Sequence, residues 1–181
     1  CKRSGAWPAA QALERDMWKG GVLANVQAYN IALSASAKLD RWREALALWD
    51  EMGPAGLEPD IVTYNTLASA CERGGSWGGA LSLVQQARDE AVAADVTTYG
   101  TAVRACGKSG QWAEALRLLR TCTQRGIRAN EITFNSAISA CEGGQSWEAA
   151  TALLDSALRG SVQPTLVTYT ALIGAAASAK R

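Results

Sequence analysis

Residues 61–73 read IVTYNTLASACER, and residues 131–143 read EITFNSAISACEG. Midway between them, residues 96–108 read VTTYGTAVRACGK, so one pattern of polar, aromatic and small residues returns every 35 positions. A constant interval of about 20–50 residues is typical of arrays in which one supersecondary unit is copied and each copy is buried against its neighbours. The sequence therefore predicts a repeat solenoid.

Other columns of residues keep the same 35-residue step along the chain without an insertion. One column consists of Trp7, Trp42, Trp77, Trp112 and Trp147. Another consists of Tyr29, Tyr64, Tyr99, Phe134 and Tyr169. The columns predict the C-terminal part of a truncated repeat at 1–25, complete repeats at 26–60, 61–95, 96–130 and 131–165, and the N-terminal part of a truncated repeat at 166–181. We therefore expect the natural protein to extend beyond both ends.

Each copy is predicted to contain two helices. In the third complete copy, residues 97–106 form one helical stretch, and residues 112–124 carry apolar residues at helical spacing. Gly126 then favours the left-handed conformation that commonly ends a helix. A threonine column falls in the first turn of each first helix, where a hydroxyl can help to cap it: Thr63, Thr98, Thr133 and Thr168. The predicted fold class is all-α, a right-handed α-solenoid of stacked helix-turn-helix repeats.

The tryptophan column begins each second helix and continues into apolar helix positions. We therefore interpret these indoles as packing between the helices of one copy and the next, rather than as platforms for bases. Four of the five cysteines also follow the repeat period: Cys1, Cys71, Cys106 and Cys141. Their spacing does not resemble the short CxxC spacing of a zinc site, and we interpret them as buried packing thiols.

Composition argues against several functions. Eighteen Lys and Arg against seventeen Asp and Glu leave the chain nearly neutral, which disfavours a generic polyanion binder but leaves room for a local basic stripe. The chain has no His, no cluster of carboxylates with metal-ligand spacing, no nucleophile motif and no Gly-rich phosphate loop. We therefore expect no catalysis within these residues, no cofactor and no metal. No apolar run approaches the roughly 18 residues of a membrane span, so no membrane partner is expected.

The segments IVTYNTLASACERGG, EITFNSAISACEGG and LVTYTALIGA resemble the pentatricopeptide repeat family, and the constant 35-residue length resembles its uniform P-type subclass. The resemblance covers essentially the whole chain. It implies sequence-specific binding of single-stranded RNA, one base per repeat, along the first helices. It also implies a role in organellar RNA processing, stability or translation, and a location in mitochondria or chloroplasts.

The resemblance further implies which residues contact RNA. The fifth and last residues of each copy would read the base, which gives the pairs Asn30 with Asp60, Asn65 with Asp95, Gly100 with Asn130, and Asn135 with Thr165. Asn25 and Thr170 belong to the incomplete copies. The second residue of each copy would wedge between successive bases: Gln27, Val62, Thr97, Ile132 and Val167.

Hydrogen-bond chemistry gives these pairs a base preference. An ionised Asp only accepts hydrogen bonds and suits the imino N–H of U or G, whereas an Asn can donate to the bare ring nitrogen of C or A. The family's preference for pyrimidines at a fifth-position Asn narrows the choice. Because the family aligns its N-terminus with the RNA 5′ end, the predicted core is 5′-U-U-[A/C]-[C/U]-3′, with a weak third position where Gly100 has lost a contact.

A basic column lies near the end of each first helix, where the family places a phosphate-contacting lysine: Arg3, Lys38, Arg73 and Lys108. Gly143 and Ser178 interrupt it. A periodic basic stripe is what tracking of a phosphate backbone needs. The alternative is that these cations stabilise helix C-termini through the helix dipole.

A protein-binding scaffold remains the alternative function, because helical solenoids also present extended surfaces to peptides. Three features favour it: the near-zero net charge, the incomplete pair at Gly100, and the non-apolar wedge residues Gln27 and Thr97.

Overall fold

Short helices alternate with tight turns throughout residues 25–90, 92, 94–144 and 146–178, which the computed structural model describes. The helices that open each copy, here called first helices, are α1 (Val26–Lys38), α3 (Ile61–Arg73), α5 (Val96–Lys108), α7 (Glu131–Gly143) and α9 (Leu166–Ser178). The second helices are α2 (Trp42–Met52), α4 (Trp77–Asp89), α6 (Trp112–Gln124) and α8 (Trp147–Arg159). Arg3 and the rest of the first partial copy, up to residue 24, lie outside the described residues.

The first helices begin where a polar side chain caps them. Asp60 has an extended backbone, and its carboxylate accepts the backbone N–H of Thr63 at 2.8 Å. The Thr63 hydroxyl accepts the backbone N–H of Asp60 at 3.2 Å, which completes a capping box. Asp95 and Thr98 form the same box at α5. The predicted capping role of the threonine column is therefore confirmed at these helices.

A glycine in the left-handed backbone conformation lies just before some of the second helices. Gly75 and Gly110 have φ values of 67° and 70°, a conformation that glycine adopts without steric cost. The next residue then bonds back to the first helix: Ser76 N donates to Cys71 O at 2.8 Å, and Gln111 N donates to Cys106 O at 2.9 Å. Each tryptophan follows at once, so the turn places the indole at the junction between the two helices.

In the second and third complete copies, the tyrosine and cysteine columns are buried. Tyr64, Tyr99, Cys71 and Cys106 are fully buried in the first helices. Trp42 lies against Gly74, and Trp112 lies against Gly144, so closely that a Cβ on either glycine would collide with the indole. Both glycines belong to the copy that follows the tryptophan. These contacts confirm, for Trp42 and Trp112, the predicted packing between copies.

The four described cysteines are buried packing groups. Burial raises the pKa of the Cys71, Cys122 and Cys141 thiols to about 11. Burial, with a smaller contribution from the carboxylate of Glu114, does the same for Cys106. All four thiols are therefore protonated at neutral pH. The burial of Cys71, Cys106 and Cys141 fits the packing role that the sequence predicted for them, and Cys1 lies outside the described residues.

The helix pairs stack in chain order. Each first helix packs against the first helix of the next copy, and each second helix packs against its own first helix and the one that follows. This arrangement confirms the predicted all-α solenoid of stacked helix pairs. It places the first helices in one row, so residues 35 positions apart recur along one face. None of the helices in the described part of the chain has the length and apolar character to span a bilayer.

Candidate nucleic-acid interface

The fifth and last residues of a copy meet across neighbouring first helices. The Asn30 amide nitrogen Nδ2 donates to Asp60 Oδ1 at 3.1 Å, and Asn65 Nδ2 donates to Asp95 Oδ2 at 3.4 Å. Asn135 Nδ2 donates to the Thr165 hydroxyl at 3.3 Å. The contact arises because the fifth residue lies in the first turns of one first helix and the last residue caps the next. The structure thus brings together three of the four pairs predicted from the sequence.

The two capping aspartates are held in their ionised form. Partial burial alone would raise the pKa of Asp60, but hydrogen bonds from the Thr63 backbone, the Asn30 amide, the Thr63 hydroxyl and the Val62 backbone together lower it below its ordinary value. Asp95 has a lowered pKa as well. Its burial is outweighed by hydrogen bonds from the backbone and hydroxyl of Thr98, the Asn65 amide and the Thr97 backbone. At neutral pH, each carboxylate therefore offers only acceptors to a ligand.

The threonine column makes a contact that the sequence did not reveal. The Thr63 hydroxyl donates to Asn30 Oδ1 at 2.6 Å, and Thr98 donates to Asn65 Oδ1 at 2.6 Å. Thr168 donates to Asn135 Oδ1 at 2.5 Å. The only sign in the sequence was the 35-residue spacing of the threonines, which indicates a cap but not a partner in the preceding copy.

The third pair has a different geometry because Gly100 supplies no side chain. Gly100 is buried, and a Cβ placed on it would lie 3.0 Å from the Thr133 hydroxyl oxygen. Asn130 caps α7, and its Oδ1 accepts both the backbone N–H and the hydroxyl of Thr133 at 2.9 Å. With Oδ1 used by the cap, the amide nitrogen of the exposed Asn130 is the group left to contact a ligand.

The two single residues from incomplete copies lie at opposite ends of the row. Asn25 caps α1 by accepting the Ala28 backbone N–H at 2.8 Å. Thr170 is exposed, and its hydroxyl donates to the Leu166 carbonyl at 2.8 Å. The positions that would complete these two pairs are not among the described residues.

The predicted wedge residues all lie on the surface. The apolar members are more than half exposed, at 53% for Val62, 58% for Ile132 and 59% for Val167. The polar members Gln27 and Thr97 are exposed too. Apolar side chains repeated in solvent along one row of helices are available for a flat apolar ligand surface, such as the face of a base.

Two open depressions along the first helices bring three predicted columns together. One, of about 320 Å³, is lined by Lys38, Val62 and Asn65 among others. The other, of about 470 Å³, is lined by the equivalent residues 70 positions later, Lys108, Ile132 and Asn135, together with Val167. Each depression thus joins a basic residue of one copy to the wedge and fifth residues of the next. The repeat period produces the same surface chemistry twice.

Members of the basic column reach back towards the preceding copy. Arg73 Nη1 donates to the Ala37 carbonyl near the end of α1 at 3.3 Å. Lys108 Nζ lies 2.7 Å from the Glu72 carboxylate, whose side chain is only 11% exposed, and Arg104 lies 3.9 Å from it. Arg73 therefore hydrogen-bonds a carbonyl at the C-terminus of a neighbouring first helix. No periodic column in the sequence points to Glu72, which offsets part of the basic charge here.

No metal site accompanies this surface: residues 25–90, 92, 94–144 and 146–178 contain no group of three or more potential ligand side chains of His, Cys, Asp or Glu.

Three family models match the sequence: the PPR repeat family at residues 24–73, the pentatricopeptide repeat domain at 82–145, and the PPR repeat at 62–90. Together these matches extend over residues 24–145. None of the curated protein sequences matches the chain significantly.

Solved structures of repeat proteins are also similar. The pentatricopeptide repeat protein PPR10 in complex with an 18-nucleotide psaJ RNA element matches with a TM-score of 0.68 and 29% identity, over 84% of this chain and 22% of that one. PPR10 from maize matches with a TM-score of 0.70 and 25% identity, over 95% and 24%. The PPR domain of Arabidopsis thaliana protein-only RNase P 1, in complex with tRNA, matches in fold with a TM-score of 0.80, 14% identity, and coverage of 97% and 92%. This chain spans less than a quarter of either PPR10 chain.

Proposed function

We propose, from the premise that the chain belongs to the pentatricopeptide repeat family, that its row of first helices binds single-stranded RNA and reads one base per repeat. The observation that carries the proposal is the contact between fifth and last residues, at 3.1 Å for Asn30 with Asp60 and 3.4 Å for Asn65 with Asp95. These pairs recur at the repeat interval beside exposed wedge residues. The RNA held by PPR10, at 29% identity, supports the same class of ligand here.

The first two complete copies each present a surface complementary to uracil. The ionised Asp60 and Asp95 accept hydrogen bonds, and the N3–H of uracil is a donor. The amides of Asn30 and Asn65 turn Nδ2 towards the carboxylate side, where it can donate to a uracil carbonyl. Cytosine would instead bring its N3 lone pair against a carboxylate, which is repulsive. Both copies therefore select U.

The next two copies select less strongly. Asn130 offers its amide nitrogen as a donor, which suits N1 of A or N3 of C, and Gly100 adds no second contact. The pair of Asn135 and Thr165 is neutral, and it favours a pyrimidine through the family's preference at the fifth position. With the RNA 5′ end at the N-terminal side, the core is 5′-U-U-[A/C]-[C/U]-3′.

The wedge residues and the basic column complete the site. Bases stack between successive wedges such as Ile132 and Val167, and the basic column contacts phosphate through members that are exposed beside the depressions: Lys38, Arg73 and Lys108. Arg3 joins that column by its position in the repeat. Stacking of about 1–3 kcal/mol per base gives a gross ~4–12 kcal/mol for four copies before the cost of ordering the RNA. We therefore expect dissociation constants in the micromolar range or weaker.

The test is a titration of the chain with short U-rich and A-rich oligoribonucleotides at two salt concentrations. Preferential, salt-sensitive binding of the U-rich oligomer supports the proposal. Equal, salt-insensitive failure to bind either oligomer overturns it and favours the protein-binding scaffold. That alternative gains some support from the ion pair of Glu72 with Lys108, which reduces the positive charge of the first-helix face.

The cellular role follows from the same proposal. The bound RNA would be an organellar transcript, in mitochondria or chloroplasts, whose processing, stability or translation depends on occupancy of the site. The repeats would contribute recognition and no catalysis.

A further inference from the structure

We infer that the first-turn threonine of each repeat is a positioning residue for the base read by the repeat before it. The inference rests on the proposed function and adds a member to each reading pair. Its geometric basis is the hydrogen bond from Thr63 to Asn30 Oδ1 at 2.6 Å, with the same bond at Thr98 and Thr168. The bonded residues are 33 positions apart, so each reading site is built from two repeats.

The hydroxyl of Thr63 has one hydrogen to donate. Its oxygen accepts the Asp60 backbone N–H at 3.2 Å, and two acceptors lie nearby, Asn30 Oδ1 at 2.6 Å and Asp60 Oδ1 at 2.9 Å. Asp60 Oδ1 already accepts the Thr63 backbone N–H at 2.8 Å and the Asn30 amide at 3.1 Å. The hydroxyl hydrogen is therefore directed mainly to the closer and less occupied Asn30 oxygen, and its contact with Asp60 Oδ1 is the longer of the two.

This bond decides which way the Asn30 amide faces. With Oδ1 held by Thr63, Nδ2 must turn towards Asp60 and the ligand side. An inverted amide would put its oxygen against the ionised carboxylate of Asp60, two acceptors facing each other. Thr63 is fully buried, so water does not compete for its hydroxyl. Asn30 is thereby fixed as a donor to a uracil carbonyl.

The copy with Gly100 shows the same hydroxyl without an asparagine to hold. There the Thr133 hydroxyl donates to Asn130 Oδ1 at 2.9 Å, the capping oxygen of its own helix. The threonine hydroxyl thus donates to the fifth residue where that residue is an asparagine, and to the cap residue where the fifth residue is a glycine. In both cases, the threonine fixes the orientation of an amide that faces the ligand.

The test compares Thr63→Val with Thr98→Val, which each remove one hydroxyl and the same capping bond. Affinity is measured for RNAs carrying U or C at the first or the second position of the core. Thr63→Val should reduce the U-over-C preference at the first position by up to about tenfold, the value of one hydrogen bond, and leave the second unchanged. Thr98→Val should do the reverse, and Thr63→Ser should keep the wild-type preference.

A threonine that only caps its helix would lower thermal stability without changing base preference, so an unchanged preference in folded Thr63→Val overturns the inference. An equal loss at both positions also overturns it. The Asn30 side-chain amide resonances of the RNA-free protein test the positioning step without a ligand: they should shift and broaden in Thr63→Val, and unaltered resonances would contradict the inference. Failure of the wild type to prefer U would instead overturn the proposed function.

Discussion

Replacing Asp95 with Asn should convert the second reading site from uracil to cytosine while leaving the fold intact. Asp95 caps α5 through Oδ1, which accepts the backbone N–H groups of Thr97 and Thr98 at 2.9 Å each. Asn is as good a capping residue as Asp. The chain contains its own precedent, since Asn130 caps α7 at the equivalent position with the same 2.9 Å bond.

The size of the effect follows from the hydrogen bonds exchanged. In Asp95→Asn, the carbonyl oxygen keeps the cap, so the amide nitrogen replaces Oδ2 beside Asn65 Nδ2 and faces the base; the loss of the Asn65 contact is common to both bases and cancels in the comparison of U with C. Uracil then loses a bond to a charged acceptor, about 1.5–3 kcal/mol, which weakens binding by roughly 10–100-fold. Cytosine gains a neutral bond to its N3, about 0.5–1.5 kcal/mol. The coupling between protein and base should therefore be about 2–4.5 kcal/mol.

The assay is a double-mutant cycle with four dissociation constants from fluorescence anisotropy: wild type and Asp95→Asn, each with RNA carrying U or C at the second core position. RNAs varied at the first position serve as the control, because the Asn30 and Asp60 pair is unchanged there. Thermal unfolding by circular dichroism verifies that the cap is retained. A U-to-C affinity ratio that is the same for both proteins would refute the reasoning, because the carboxylate would then make no contact with the base.

Three further predictions concern single residues. Tyr64→Phe should destabilise the chain by about 1–2 kcal/mol in urea unfolding, because the Tyr64 hydroxyl donates to the Glu90 carboxylate at 2.7 Å. Tyr99→Phe should be neutral or stabilising, because the buried Tyr99 hydroxyl has no hydrogen-bond partner among the described residues; equal losses of stability in the two variants would contradict this. Glu72→Gln should release Lys108 from its ion pair and so tighten binding of every RNA sequence. The slope of the logarithm of the binding constant against the logarithm of salt concentration should steepen by about one unit, and an unchanged slope would assign Lys108 a purely structural role. Hydrogen bonds outweigh the effect of partial burial and lower the Asp95 pKa below 3.8, so its contribution to folding should be complete above that value and lost as pH falls through the lower, folded-state pKa. Affinity for RNA carrying U at the second position should therefore stay level from pH 8 to about 5, because uracil does not titrate in this range; a decline would show that the carboxylate is not held ionised.

The residues buried between helices were predictable from the sequence, because the same residue types recur at these positions in every repeat. The tryptophans mark the first residues of the second helices, as at Trp42 and Trp112, and the glycines they pack against lie 32 residues later. The caps of the first helices were predictable because the threonine column, which includes Thr63, lies three residues after a cap residue such as Asp60 in each copy. Fold class and local structure were therefore accessible from spacing alone.

The reading pairs could not be predicted from residue spacing alone. Hydrogen-bond chemistry gives Asp60 a preference once it is paired with Asn30, but their proximity was implied only by the family resemblance and is visible directly in the structure. The bond from Thr63 to Asn30 was missed, because the periodicity of a column does not specify where a hydroxyl points. Glu72 was missed because its partner Lys108 lies 36 residues away on the next first helix.

The most direct test of one base per repeat is selection of the wild-type chain against RNA randomised over eight positions, followed by sequencing of the bound pool. Enrichment of 5′-U-U-[A/C]-[C/U]-3′, with U strongest at the first two positions and the third weakest, is the expected result. An unenriched pool, or a motif whose strongest positions do not fall on consecutive nucleotides, would contradict the account.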